Sequence, residues 1–231
     1  MTIKVAIDGP AGAGKSTIAK HVAKQLGIPY VDTGAIYRSL AWQAINANTP
    51  LDDENSLVQL AESLDILFIP DGDSQRVIVR GIDITHAIRE PEISNKVSLV
   101  ATYPQVRKEL LTIQTMLSQS ALGVVMDGRD IGTSILPDAD VKIFLTATLE
   151  VRARRRFEEM KRQGFDVELE KVLLELEARD QADKQRKASP LRMADDAVAL
   201  DTSLLTIEEA SAMVAALCEV RLRTRRYNKF I

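Results

Sequence analysis

The chain has 231 residues, of which 45% are hydrophobic and 27% charged, the balance of one folded domain of ordinary size rather than of a disordered segment. A formal net charge of −3 supplies no global basic field for nucleic acid, so any anion site has to be local. One cysteine, Cys218, cannot form an internal disulfide, and with His21 and His86 as the only histidines there is no zinc pattern.

From the N-terminus, no signal peptide is recognised, and no apolar run approaches the roughly 20 residues that span a bilayer. The expectation is a cytoplasmic protein with no membrane partner. Ile3 to Asp8 is a short β-rich run that ends in a glycine-rich turn. From Ser16 a helix sets Ile18, Val22 and Leu26 on one face, with Gly27 as its stop. Ile28–Asp32 reads as a second strand and Gly34 opens a helix through Ile45, so strand, helix and strand predict a parallel sheet with right-handed crossovers. Between about Asp65 and Ile88 the alternation breaks into short antiparallel strands around the turn cluster PDGDSQ. Pro91 opens a helical region, interrupted near Pro104, that lasts to about Ser120.

Gly123–Asp127 and Val141–Thr146 are continuous apolar runs of buried-strand length. Two charged helices follow, Leu149–Gln163 and Glu168–Lys187, and Ala197–Asp201 makes a fifth core strand. Thr206 and Glu209 form a capping box for the last helix, whose Arg221, Arg223, Arg225, Arg226 and Lys229 read as a solvated helix end rather than a nucleic-acid patch. The fold expectation is α/β: a five-stranded parallel sheet with helices on both faces. As a single domain, 1–231 divides into a core of 1–64, 89–150 and 188–231, a small antiparallel β insertion at 65–88, and a helical segment at 151–187.

The segment Gly9-Pro10-Ala11-Gly12-Ala13-Gly14-Lys15-Ser16, followed by Thr17, matches G-x-x-x-x-G-K-[ST] and lies between a strand and a helix, as the mechanism requires. Its glycines permit successive N–H groups to face phosphate oxygens, and the helix start adds its positive dipole end. Lys15 would reach the β- and γ-phosphates of a nucleoside triphosphate, and the Ser16 hydroxyl would hold Mg²⁺. Asp127, at the end of an apolar strand, is the candidate carboxylate on the metal side, although Asp8, Asp32 and Asp201 also end strands. Asp32 reads more readily as ordering the loop that follows. The motif points to nucleoside triphosphate binding on a sheet of P-loop NTPase type but does not separate a kinase from a switch or a motor.

Two arginine groups stand out. Arg152, Arg155 and Arg156 fall at i, i+3 and i+4, and Arg179, Asp183 and Arg186 at i, i+4 and i+7, each on one helix face. Spacing alone reads more readily as solvated charged helices carrying local ion pairs, with Glu158 and Glu159 beside the first group.

GPAGAGKST from Gly9, DTGAIYR from Asp32, DGRDIGT from Asp127, RARRRFEEMKRQG from Arg152 and RDQADKQRKASPL from Arg179, in that order and over essentially the whole chain, resemble the bacterial cytidylate kinases of the nucleoside monophosphate kinase superfamily. The resemblance implies transfer from ATP to CMP, with dCMP as a second acceptor, and makes 151–187 a mobile lid. It implies an acceptor site of Thr33, Arg38, Ser98, Arg107, Arg129, Asp130, Arg179, Asp183 and Arg186. Arg38, Arg129 and Arg186 would hold the CMP phosphate, with Arg129, Arg186 and Lys15 as the catalytic charges. Ser98, Arg107 and Asp130 would read cytosine, Arg179 and Asp183 the sugar, and Arg152, Arg155 and Arg156 would close over ATP.

The chemistry fits those residue types. A monophosphate is already an anionic nucleophile near neutral pH, so no general base is needed, and the two histidines read as structural or solvated. Cytosine presents an amino donor and an N3 acceptor where uracil presents the reverse, which suits a carboxylate at Asp130 and a guanidinium at Arg107. Asp130 also reads as an acid that orders its own loop. Kinases for UMP, AMP or a metabolite alcohol, and a P-loop switch or ATPase, stand as alternatives, although the N-K-x-D string of guanine recognition is absent. A monomer is the default expectation.

Overall fold

The computed structural model describes residues 2–72 and 74–227, with the side chain of Arg226 outside that description. The chain divides into two compact units, residues 1–30 with 121–231 and residues 31–120. No helix among the described residues is long and apolar enough to cross a membrane.

The first unit is built on β1 (Ile3–Asp8), β6 (Gly123–Gly128), β7 (Val141–Thr146) and β8 (Val198–Asp201), and β2 (Tyr30–Asp32) begins at its boundary. Sheet order is β2-β6-β1-β7-β8. Strands β6 and β7 flank β1 in parallel, with Ile7 opposite both Asp127 and Ile143. Such central strands are buried on both faces, which is why they read as apolar runs rather than alternating ones. Helices α1 (Lys15–Leu26) and α8 (Ile207–Tyr227) bring Ile18, Val22, Val214 and Cys218 onto Val5, Ile7 and Ile143. Burial pushes the Cys218 thiol up to about 12, with Asp140 adding repulsion, so it behaves as a small hydrophobe. The predicted capping box is formed: Glu209 N–H donates to Thr206 Oγ1 at 3.1 Å and Thr206 N–H to Glu209 Oε2 at 2.9 Å. Arg225 of the basic helix end pairs with Asp140, and Lys229 lies outside the described residues.

Helices α6 (Leu149–Arg162) and α7 (Leu169–Gln185) form a hairpin whose apolar seam includes Ala153, Met160, Val172 and Leu176. After β6, Ile131–Ile135 makes one π-helical turn.

The second unit has its own core. Helices α2 (Thr33–Asn46), α3 (Glu54–Glu62), α4 (Pro91–Val100) and α5 (Pro104–Leu117) pack Ile36, Leu40, Leu57, Ile93 and Leu110 together with Val77 and Val79 of a small sheet. That sheet is antiparallel, in the order β3 (Ile66–Asp71), β4 (Ser74–Val79), β5 (Ile82–Asp83), with Phe68 opposite Val77. Helix α3 is an element the sequence reading lacks. Its signals are an Asp53 side chain that accepts from the N–H groups of Asn55 and Ser56, and Leu57 and Ala61 buried one turn apart.

Candidate active site

Gly9 leaves β1 at φ 146°, where an added Cβ would collide with the Leu145 carbonyl of β7. This close approach needs glycine and turns the chain into the loop that precedes α1. Gly14 adopts a left-handed conformation as the N-cap, so the helix begins at Lys15, one residue before the expected Ser16. Pro10, Ala11 and Ala13 are buried in the loop, while Thr17 is exposed on the first turn of α1.

Lys15 is buried and its Nζ donates to the Pro10 carbonyl at 2.7 Å. Burial pulls its pKa down to about 7, aided by the positive charge of Arg129 and Arg179 and opposed by Asp127 and Asp183. Beside it, Ser16 Oγ donates to Asp127 Oδ2 at 2.9 Å and Tyr30 Oη to Asp127 Oδ1 at 2.7 Å. The parallel register of β1 and β6 puts Asp127 at this position, level with the last residues of β1.

Asp8, the last residue of β1, accepts the backbone N–H groups of Ile131 and Gly132, both at 2.7 Å. Burial pushes its carboxyl up to about 6 against the pull of those two hydrogen bonds, and Asp130 adds repulsion. The carboxylate thereby orders the π-turn that follows Arg129 and Asp130.

Of the second charged group, Arg179 and Asp183 lie on α7, whereas the helix ends at Gln185 and Arg186 follows it as the extended C-cap residue, off the expected helix face. Arg129 Nε donates to Asp183 Oδ2 at 2.7 Å, and Arg186 sits 3.7 Å from Asp183 Oδ1 and 3.4 Å from Asp130 Oδ1. Arg186 Nε is fixed by the Ser189 carbonyl at 2.6 Å. Burial would raise the Asp183 carboxyl, but Arg129, Arg179 and Arg186 outweigh it and hold it below the ordinary carboxylate value. For Arg129, burial alone would lower the pKa, and the charge and hydrogen bond of Asp183 reverse the sign. Arg179 lies half-buried on the same helix.

The predicted trio on α6 is divided among different tasks. Arg152 is buried and bonded to the carbonyls of Ala147 and Ala11. Arg155 donates to Thr202 Oγ1 and carbonyl at 3.0 and 2.6 Å, and the Thr202 hydroxyl also bonds the Ala13 carbonyl at 3.2 Å. Arg156 pairs with Glu159 at 2.9 Å. Thr202, Tyr30 and Asp180 were not singled out from the sequence. Only tertiary neighbours give them a role, although Asp180 stands one turn ahead of Asp183.

In the second unit, Thr33 is buried at the first position of α2, and Asp32 caps that helix through Ala35 N–H at 2.9 Å. Asp32 also pairs with Arg38 at 2.7 Å. Arg107 is buried on α5, donates to the Ala101 carbonyl at 3.4 Å, and stands 5.5 Å from the centre of the Tyr37 ring. Ser98 is half-buried on α4. His21 and His86 are both exposed.

A family profile described as cytidylate kinase matches residues 5–220. The chain is 48% identical over 221 residues to the cytidylate kinase of Bacillus subtilis (strain 168), covering 96% of this chain and 98% of that one. It is 49% identical over 222 residues to that of Desulfitobacterium hafniense (strain Y51), covering 96% and 95%. Among solved structures, a shikimate kinase from Bacteroides thetaiotaomicron aligns over 95% of this chain and 99% of its own, at 14% identity and a TM-score of 0.48.

Proposed function

The chain belongs to the cytidylate kinase family, and from that premise we propose that it transfers the γ-phosphate of ATP to CMP, and also to dCMP. The carrying observation lies in the first unit: a phosphate loop with a buried lysine, and beside α7 an arginine cluster, Arg129 and Arg186, fixed by the carboxylates of Asp183 and Asp130. An oxygen of the CMP phosphate forms the new bond to the γ-phosphorus. The bond from the γ-phosphorus to the β–γ bridging oxygen breaks, and ADP leaves with that electron pair.

The enzyme's task is then to hold two polyanions end to end and to absorb charge on the transferring group. Lys15 takes the donor phosphates, whose negative charge restores its proton. Arg129, Arg186 and Arg38 take the acceptor phosphate and leave no proton to be moved by a base. Asp130 and Arg107, with Ser98, read the cytosine edge, Arg179 and Asp183 bind the sugar, and Thr33 completes the set of acceptor-binding residues. The α6–α7 hairpin, with Arg155 and Arg156, covers ATP and excludes water.

Ser16 and Asp127 would hold Mg²⁺. Their hydroxyl and carboxylate, 2.9 Å apart, are the hard oxygen donors this ion prefers, and it commonly keeps only one or two protein ligands besides phosphate and water. When bound, the ion would neutralise charge on the donor phosphates. Among the described residues no group of three or more His, Cys, Asp or Glu is placed to hold a metal ion.

Release of ADP, measured with CMP, dCMP, UMP and AMP added separately, tests the reading. CMP and dCMP should stimulate turnover strongly. Equal turnover without any acceptor would favour a switch or ATPase, and stimulation by UMP or AMP over CMP would overturn the base assignment.

A further inference from the structure

The tip of the phosphate loop is part of the α6–α7 hairpin's own core. Ala11 packs with Ala153 and Met160 of α6 and with Val172 and Leu176 of α7. Gly12 leaves no room between loop and helix, since a Cβ there would meet Cβ and the carbonyl of Arg152 at 3.0 and 3.1 Å.

A polar layer lies over this apolar contact. Arg152 is 5% exposed and all three of its guanidinium nitrogens are engaged. Nε donates to Ala147 O at 3.0 Å, Nη1 to Ala11 O at 3.0 Å, and Nη2 pairs with Asp180 Oδ2 at 2.7 Å. A guanidinium cannot shed its charge, so at this depth it requires a carboxylate, and Asp180 supplies it. One turn further along the same buried face, Asp183 does the same for Arg129. A single helix therefore holds the donor loop through one acid and the acceptor-side arginine through another.

The peptide plane explains what the Ala11 bond does. The carbonyl of Ala11 and the N–H of Gly12 belong to one trans peptide and point in opposite directions. Pinning the oxygen toward the hairpin aims the N–H away from it, and inward N–H groups are what a phosphate loop needs.

We infer that Asp180 is a positioning residue for the donor nucleotide, acting through Arg152 on the Ala11–Gly12 peptide of the phosphate loop. This deepens the kinase reading and rests on it. It also places Arg152 on the loop backbone rather than on ATP, so that only Arg155 and Arg156 of the trio remain for the cover.

The test is Asp180→Asn, which keeps shape and removes the charge. ATP binding, titrated calorimetrically without acceptor, should weaken about tenfold, and the KM for ATP should rise alike while the KM for CMP stays within about twofold. Arg152→Lys, which keeps charge but cannot reach three partners at once, should give the same split, and the double variant should be no worse than the worse single one. A lowered Tm with unchanged ATP affinity and KM would reduce Asp180 to a structural role and overturn the inference, as would a change confined to CMP. Should Asp180→Asn fail to fold, unchanged ATP binding in Arg152→Lys would overturn it and a tenfold loss would support it. Since ATP binding is read without acceptor, failure here is distinct from failure of CMP to stimulate the wild-type protein.

Discussion

In the phosphate loop, Lys15 buries its ammonium against the neutral carbonyl of Pro10, whereas Arg129, just after β6, and Arg186, just past the end of α7, bury their guanidinia against the carboxylates of Asp183 and Asp130. The two regions belong to one unit and would each meet a phosphate in the proposed reaction, yet they solve the problem of buried charge differently. A lysine can give up its proton and so tolerates burial without a counter-ion, at the expense of a pKa drawn down to about 7. An arginine has no neutral form to retreat to, so its carboxylates must be built in. In the proposed reaction the donor side would thus be charged by its ligand, whereas the acceptor side is charged in advance.

The largest effect should come from the donor side. Lys15→Ala should lower kcat/KM by about a thousandfold or more, since the charge that meets the transferring phosphate is gone. Survival of activity within about tenfold would show the phosphate cradle to be misassigned. The same change should not destabilise the apo protein near neutral pH. The folded pKa of Lys15 lies below its unfolded value of 10.5, so its burial penalty is complete below about 7 and fades as pH climbs toward 10.5. The stability gain of Lys15→Met over wild type should therefore shrink from pH 7 to pH 10 in urea titrations.

On the acceptor side the sign reverses. Asp183→Asn leaves Arg129 and Arg186 buried without the carboxylate between them, and stability should fall by about 3 kcal/mol. A loss under about 1 kcal/mol would mean that the cluster is solvated and that the comparison fails. The smallest change is expected from Asp130→Ala. It should cut the preference for CMP over UMP by about a hundredfold while leaving the KM for ATP alone, and an unchanged ratio would confine Asp130 to ordering its loop.

What the sequence showed and what it hid follow from the range of the forces involved. The phosphate loop was legible because its glycines, lysine and helix start act within one short segment. The core strands were legible because burial on both faces leaves a continuous apolar run, as at Val141–Thr146, where observed and expected bounds coincide. Spacing on α6 put Arg152, Arg155 and Arg156 on one face, but it could not show that the first turns inward to Ala11 and the second to Thr202. Those partners lie 141 and 47 residues away, as Tyr30 lies 97 from Asp127, and such pairings are fixed by strand order rather than by local pattern. The position of β1 between β6 and β7 decides them. Asp32, in contrast, was read as a local organiser and is one, capping α2 and pairing with Arg38 within a few residues.

Proton uptake distinguishes a lysine charged by its ligand from arginines charged in advance. Calorimetric titration at pH 8 in two buffers of different ionisation enthalpy reads it directly. ATP should draw close to one proton from solution as Lys15 regains its charge, and CMP should draw none. Binding of ATP without proton uptake at that pH would contradict the account, because Lys15 would then already be charged in the empty loop.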